Sequence, residues 1–168
     1  GLKVSKKKDL ALILAPPKSI FAGFFTNSVV RASCIDLSIS RLQESLGLVR
    51  AIIINSGQAN ACTGDVGLID SLIATKKLGE ILGIPDNQIL MCSTGVIGEP
   101  IPMKNLLNQL PVLAKKLNNS NFRDASEAIL TTDLVPKRFV IESNIAGRRI
   151  RIAGFAKGSG MIYPNMAT

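Results

Sequence analysis

The residues best suited to chemistry in this sequence are small hydroxyl- and amide-bearing ones, and they gather in four segments. These are Ile54 to Gly64 (INSGQANACTG), Cys92 to Pro100 (CSTGVIGEP), Leu130 to Lys137 (LTTDLVPK) and Lys157 to Thr168 (KGSGMIYPNMAT). Each places Ser, Thr, Asn or Gly beside a strand end, from which side chains can converge on a ligand. Taken singly each reads as a turn, because glycine, asparagine and threonine are ordinary turn residues. The sequence contains no histidine. No imidazole within the chain can therefore act as general base, and a Ser, Thr or Cys nucleophile here needs a different activator. The three cysteines, Cys34, Cys62 and Cys92, are odd in number and widely spaced. Without histidine they make neither a zinc site nor a disulfide framework, and they read as buried small hydrophobes. No metal is expected.

The elements that must position these segments follow from hydrophobic periodicity. Leu10–Ala15 and Ile20–Thr26 read as two strands joined by a turn at Pro16-Pro17, and the isoleucine-rich Val49–Asn55 as a third. Val66, Ile69, Leu72, Ile73, Leu78, Ile81 and Leu82 fall at helical spacing over 65–82, stopped by Gly83 and Pro85. Gln88–Cys92 is a short buried strand running into a turn over 93–98. Helices are expected over 103–117, kinked at Pro111, and over 121–130. Two alternating segments, Arg138–Ile145 and Arg148–Phe155, flank Ala146-Gly147 as a hairpin. Strands and helices mix without strict alternation, which predicts an α/β (α+β) fold, sheets covered by helices, in one domain over 1–168.

Composition bounds the function classes. With 168 residues, 46% hydrophobic and 19% charged, the chain can bury a sizeable core and reads as soluble and globular. Its longest apolar runs fall far short of the roughly twenty residues that cross a bilayer. Four lysines in Gly1–Asp9 lead only into a short apolar stretch, so no secretory signal and a cytoplasmic location are expected. The net charge of +8 fits a nucleic-acid partner, a membrane surface or anionic small substrates, and most often marks only a solvated basic surface. Nucleic acid is not expected as a partner, because six Phe, one Tyr and no Trp, not interleaved with the basic residues, make no stacking platform.

In this order, the four segments resemble the bifunctional glutamate N-acetyltransferase, or ornithine acetyltransferase, family of arginine biosynthesis. The resemblance covers nearly the whole chain as the N-terminal, or α, portion of the family's precursor. Its most distinctive stretch is Lys157-Gly158-Ser159-Gly160-Met161-Ile162 followed by Pro164-Asn165-Met166-Ala167-Thr168. The resemblance implies self-cleavage between Ala167 and Thr168, with Thr168 becoming the first residue of a β chain and the catalytic nucleophile. It implies an oxyanion hole at Thr94 and Gly95, and substrate contacts from Thr131, Lys157 and Thr168. Thr132 is the rival of Thr131. Asn55, Gln58, Asn60 and Thr63 are expected to shape the floor of the site or hold the cleavage loop.

The implied reaction is acetyl transfer from N2-acetylornithine to glutamate by a ping-pong route, with no metal or bound organic cofactor; some members also take acetyl-CoA as co-substrate. The implied assembly is a layered αββα sandwich completed by the β chain, in an α2β2 heterotetramer. Two departures stand out: Tyr163 occupies a position where the family pattern has a small residue, and Leu134 one where it has threonine. The rival readings are a threonine-nucleophile amidohydrolase or aminopeptidase of related architecture, and a non-catalytic anion-binding module. The latter lacks a GxxxxGK[ST] phosphate loop.

Overall fold

The computed structural model describes residues 2, 7–118 and 121–158. In chain order the elements are β1 (Leu10–Leu14), α1 (Ser33–Glu44), β2 (Ala51–Gln58), α2 (Gly64–Leu82), β3 (Ile89–Val96), α3 (Met103–Lys115), α4 (Phe122–Ala128), β4 (Lys137–Ile145) and β5 (Arg148–Ala156). One sheet has the order β1-β2-β3, with β1 antiparallel and β3 parallel to β2. The parallel pair needs a long crossover, which α2 supplies. The second sheet is the β4–β5 hairpin. The fold is thus mixed α/β, as the mixture of strand and helix patterns predicts.

Strand β2 is apolar along its first half because both of its faces are covered. Ile53 and its neighbour Met91 on β3 are fully buried with Leu78 of α2 and Leu106 and Leu110 of α3. Side chains alternate across a strand, so Ile54 points to the opposite face. There it joins a smaller cluster of Ala11, Ala128 and Ile129 beneath α4. The helix over 64–82 ends where expected, with Gly83 in the left-handed conformation at φ 66° and the Ile84 N–H bonded to the Gly79 carbonyl.

Three expectations need correction, and one helix went unforeseen. The segment 20–26 forms no strand: only Ile20 bridges to Leu48, and Phe24 stands 85% exposed. Helix α1 was not legible, because its buried face carries Ser38 and Arg41 beside Cys34 and Leu37. Those polar groups are buried because they are bonded: Ser38 Oγ donates to the Cys34 carbonyl, and Arg41 Nη1 to the Ile89 carbonyl at 2.7 Å. The turn expected over 93–98 is strand as far as Val96. Of the cysteines, Cys34 alone is buried; Cys62 and Cys92 are exposed.

The hairpin forms as expected. Ala146 (φ 49°) and Gly147 (φ 76°) both take positive φ, the geometry of a type I′ turn that matches strand twist. It is held to the rest of the chain near Phe155, whose ring lies 5.5 Å from that of Phe122. Among the described residues, no helix is long and apolar enough to cross a membrane.

Candidate functional site

Thr94 and Gly95 lie on β3, paired with Ser56 and Gly57 of β2. In a parallel ladder, both backbone groups of a residue point to the same neighbouring strand, and successive residues alternate. The Gln88 and Val96 carbonyls accept from Arg50 and Ala59, on the β2 side. The Ile89 and Met91 carbonyls instead accept from Arg41 and Ser38 of α1. Continued, this alternation turns the Gly95 N–H away from β2, onto an edge of the sheet that has no further strand among the described residues.

Gly95 has φ 138° and faces Gly57, at φ 150°. A Cβ there would stand 2.2 Å from the Gly57 carbonyl carbon and oxygen, so only glycine fits. Thr94 is half-buried, and no hydrogen bond among the described residues engages its hydroxyl.

The Leu130–Lys137 segment reaches the same side of the sheet. Thr94 shares a face with its partner Ser56, whose Oγ donates to the Ala128 carbonyl at 2.6 Å. Ala128 ends α4, three residues before Thr131. The Thr131 Oγ1 is buried and has no hydrogen-bond partner among the described residues. Native interiors rarely leave such a group unpaired, so it marks a place where another molecule or another part of the protein bonds. Thr132 is exposed and already has an interaction partner.

Asp133 joins this loop to the end of the hairpin. Its Oδ1 accepts from Lys137 Nζ at 2.7 Å and from the Gly158 N–H at 2.8 Å, and its side chain is wholly buried. Burial pushes the carboxyl pKa up. The Lys137 ammonium and the Gly158 and Thr131 backbones outweigh that effect and bring it down to about 2. Lys157 is thereby brought to the Thr131 loop, half-exposed and without an ion pair among the described residues.

Of the predicted site residues, Thr94, Gly95, Thr131 and Lys157 are thus linked through β2, α4 and Asp133. Ala167, Thr168 and Tyr163 lie outside the described residues. Leu134 is 97% exposed. Asn55 bridges the two strands: its Nδ2 donates to the Gln58 carbonyl, and its Oδ1 accepts from Ser93 Oγ at 2.6 Å. Asn60 instead braces α2, donating to the Gly67 carbonyl and Ser71 Oγ while accepting from Thr63. The Gln58 Oε1 is buried without a partner among the described residues. Asp133 is the residue that sequence reasoning missed. Its signal was its place between Thr131 and Lys137, but its partner Gly158 is 25 residues away. A cavity of about 740 Å³ between β1, α3 and α4 is lined by none of Thr94, Thr131 and Lys157.

The model of the ArgJ family matches residues 1–168. The chain is 62% identical over its whole length to the arginine biosynthesis bifunctional protein ArgJ of Prochlorococcus marinus subsp. pastoris, of which it spans 42%. It is 45% identical to the protein of the same name from Caldanaerobacter subterraneus, again over the whole chain and 41% of that protein. Among solved structures, ornithine acetyltransferase from Mycobacterium tuberculosis, complexed with ornithine, superposes with a TM-score of 0.90 at 33% identity. The match covers 98% of this chain and 86% of that one. ArgJ from Bacillus halodurans gives 0.86 at 37%, over 98% and 85%. The chain spans about two fifths of the length of the curated relatives it matches. On this full-length match, which takes in all four segments described above, the chain belongs to the ArgJ family.

Proposed function

We propose that this chain is the α portion of a self-cleaving acetyltransferase that moves acetyl from N2-acetylornithine to glutamate. The observation that carries the reading is a Gly95 N–H turned to the open edge of the sheet, next in sequence to a Thr94 hydroxyl that lies on the face reached by the Thr131 loop. Two donors so placed suit the oxygen of a tetrahedral intermediate, and fixed donors stabilise developing charge without reorganising.

In this reading the Thr168 hydroxyl first attacks the Ala167 carbonyl. The peptide C–N bond breaks as an ester forms, the hydroxyl proton passes to the departing amine, and water hydrolyses the ester. The freed α-amino group, with an ordinary pKa of about 7.7–8.0, becomes the general base that a histidine-free chain otherwise lacks. It takes the Thr168 hydroxyl proton as Oγ attacks the acetyl carbonyl. Ornithine leaves with the proton as its C–N bond breaks, and the amine of glutamate then takes the acetyl from Oγ.

Lys157 pairs with a substrate carboxylate, and Thr131 rather than Thr132 supplies the directed hydrogen bond, because its hydroxyl is the one that is buried and unpartnered among the described residues. A β chain from the same precursor completes a layered αββα sandwich and the site, in an α2β2 assembly in the cytoplasm. No metal or bound organic cofactor takes part in this reading.

The test is Thr168→Ala in the full-length protein, which leaves an uncut precursor on a denaturing gel and no transfer. Normal cleavage would refute the reading. Acetylornithine consumption that is indifferent to glutamate would point to an amidohydrolase.

A further inference from the structure

Two lysines stand at the junction of the Thr131 loop and the hairpin, and the structure uses them differently. Lys137 is committed: its ammonium donates to Asp133 Oδ1 at 2.7 Å and to the Gly158 carbonyl at 2.9 Å. Asp133 Oδ1 also accepts the Gly158 N–H at 2.8 Å. One ion pair, between a buried carboxylate and a half-exposed ammonium, therefore grips both the N–H and the carbonyl of Gly158. The residue immediately before that gripped glycine is Lys157, which has no ion pair of its own among the described residues. Its charge remains available to an anion.

We infer that Asp133 is a positioning residue, whose carboxylate fixes the Gly158 backbone to the Thr131 loop and so sets where the Lys157 ammonium meets a substrate carboxylate. This rests on the proposed role of Lys157. It assigns Asp133 no contact with substrate; its action runs through Lys157. A bond to a charged group differs from an ordinary surface pair in being strong enough to hold a backbone segment in place.

The test is a double-mutant cycle in the full-length protein, using steady-state acetyl transfer with N2-acetylornithine as the varied substrate. Asp133→Asn keeps the side chain's shape and removes its charge. It is expected to raise KM about tenfold, the low end of what losing a charge-assisted hydrogen bond does, with little change in kcat. Lys157→Met alone is expected to raise KM by at least as much. In the Lys157→Met background, Asp133→Asn should add less than about twofold, because a residue acting through another loses its effect when that other is gone.

If Asp133→Asn does not fold, Lys137→Met, which leaves the Gly158 N–H bond in place, carries the same cycle with a smaller KM increase of about threefold. An equal fold-increase in both backgrounds would show a merely structural ion pair and overturn the inference, as would an unchanged KM in the single variant. If Lys157→Met itself leaves KM unchanged, the role of Lys157 is wrong and the clamp argument falls with it.

Discussion

Replacing Gly95 by alanine tests whether that glycine is required by the ladder itself. The added Cβ would lie 2.2 Å from both the carbonyl carbon and oxygen of Gly57 and 2.7 Å from the Gln58 nitrogen. Ordinary contact between such atoms is about 3.5–4.0 Å, so the overlap exceeds an ångström. All three atoms are backbone, and none can swing aside as a side-chain end could. Forcing two strands apart in a packed sheet costs about 1–3 kcal/mol. Holding an alanine at φ 138° adds about 1–3 kcal/mol of backbone strain. The sum, about 2–6 kcal/mol, is a large share of the roughly 5–15 kcal/mol that holds a typical protein folded.

Gly98 supplies the control. It also has positive φ, at 81°, but a Cβ added there would meet nothing within 4 Å, so alanine faces only the left-handed penalty of about 1–2 kcal/mol. Urea unfolding of the two full-length variants should place Gly95→Ala well below Gly98→Ala. Equal midpoints would refute the steric argument. Loss of turnover in Gly95→Ala with wild-type stability would refute it too, leaving Gly95 only its proposed role as a donor.

Thr94→Val should lower kcat by about 100-fold while leaving the unfolding midpoint unchanged, since only a developing negative charge loses a donor; an unchanged kcat would remove Thr94 from the oxyanion site. Thr131→Val should raise KM without loss of stability, because the hydroxyl it removes is buried and unpartnered. Equal KM effects from Thr132→Val would return the two to parity.

The Asp133 clamp has a defined pH window. Its folded pKa of about 2 lies below the ordinary 3.8, so its stabilising contribution is fully present above about pH 4 and is lost as pH falls toward 2. The difference in urea midpoint between wild type and Asp133→Asn should be constant at neutral pH and shrink across that window. A difference that persists at pH 2 would contradict the assignment.

What the sequence disclosed depended on whether local pattern and tertiary need agreed. Helix α2 was legible because its apolar residues recur at helical spacing and Gly83 closes it. The hairpin was legible because Ala146-Gly147 sits between alternating segments. Helix α1 was hidden because its inner face spends two positions on Ser38 and Arg41, which pair with strand carbonyls that a sequence does not display. The strand character of Thr94 and Gly95 was hidden for a related reason. The apolar run stops at Cys92, and beyond it the strand is held by backbone pairing of Gly57 with Gly95 rather than by side-chain burial. Asp133 required knowledge that residues 133 and 158 meet, which only the return of the hairpin creates.

The exposed apolar surface bears on what the proposed β portion would cover. Val66, Ile69 and Ile73 of α2 are 56%, 52% and 44% exposed, and Phe139 and Ile152 of the hairpin 69% and 59%. An apolar helix stripe left facing outward calls for a further covering layer, and an isolated two-stranded hairpin is at best marginal in water. Yet it is this hairpin that carries Lys157 back to Thr131, tethered by the Phe122–Phe155 contact and the Asp133 clamp. These tethers, together with Arg138 of β4, which donates to Ser126 Oγ and pairs with Glu127, all lie at one end of a long exposed hairpin and fix its terminal backbone. The proposed oxyanion edge of β3, by contrast, is locked by glycine-on-glycine packing within the core sheet. The proposed β portion therefore has most to do at the substrate-binding half of the site. A chain lacking that portion should lose substrate affinity through Lys157 before it loses the geometry of Thr94 and Gly95.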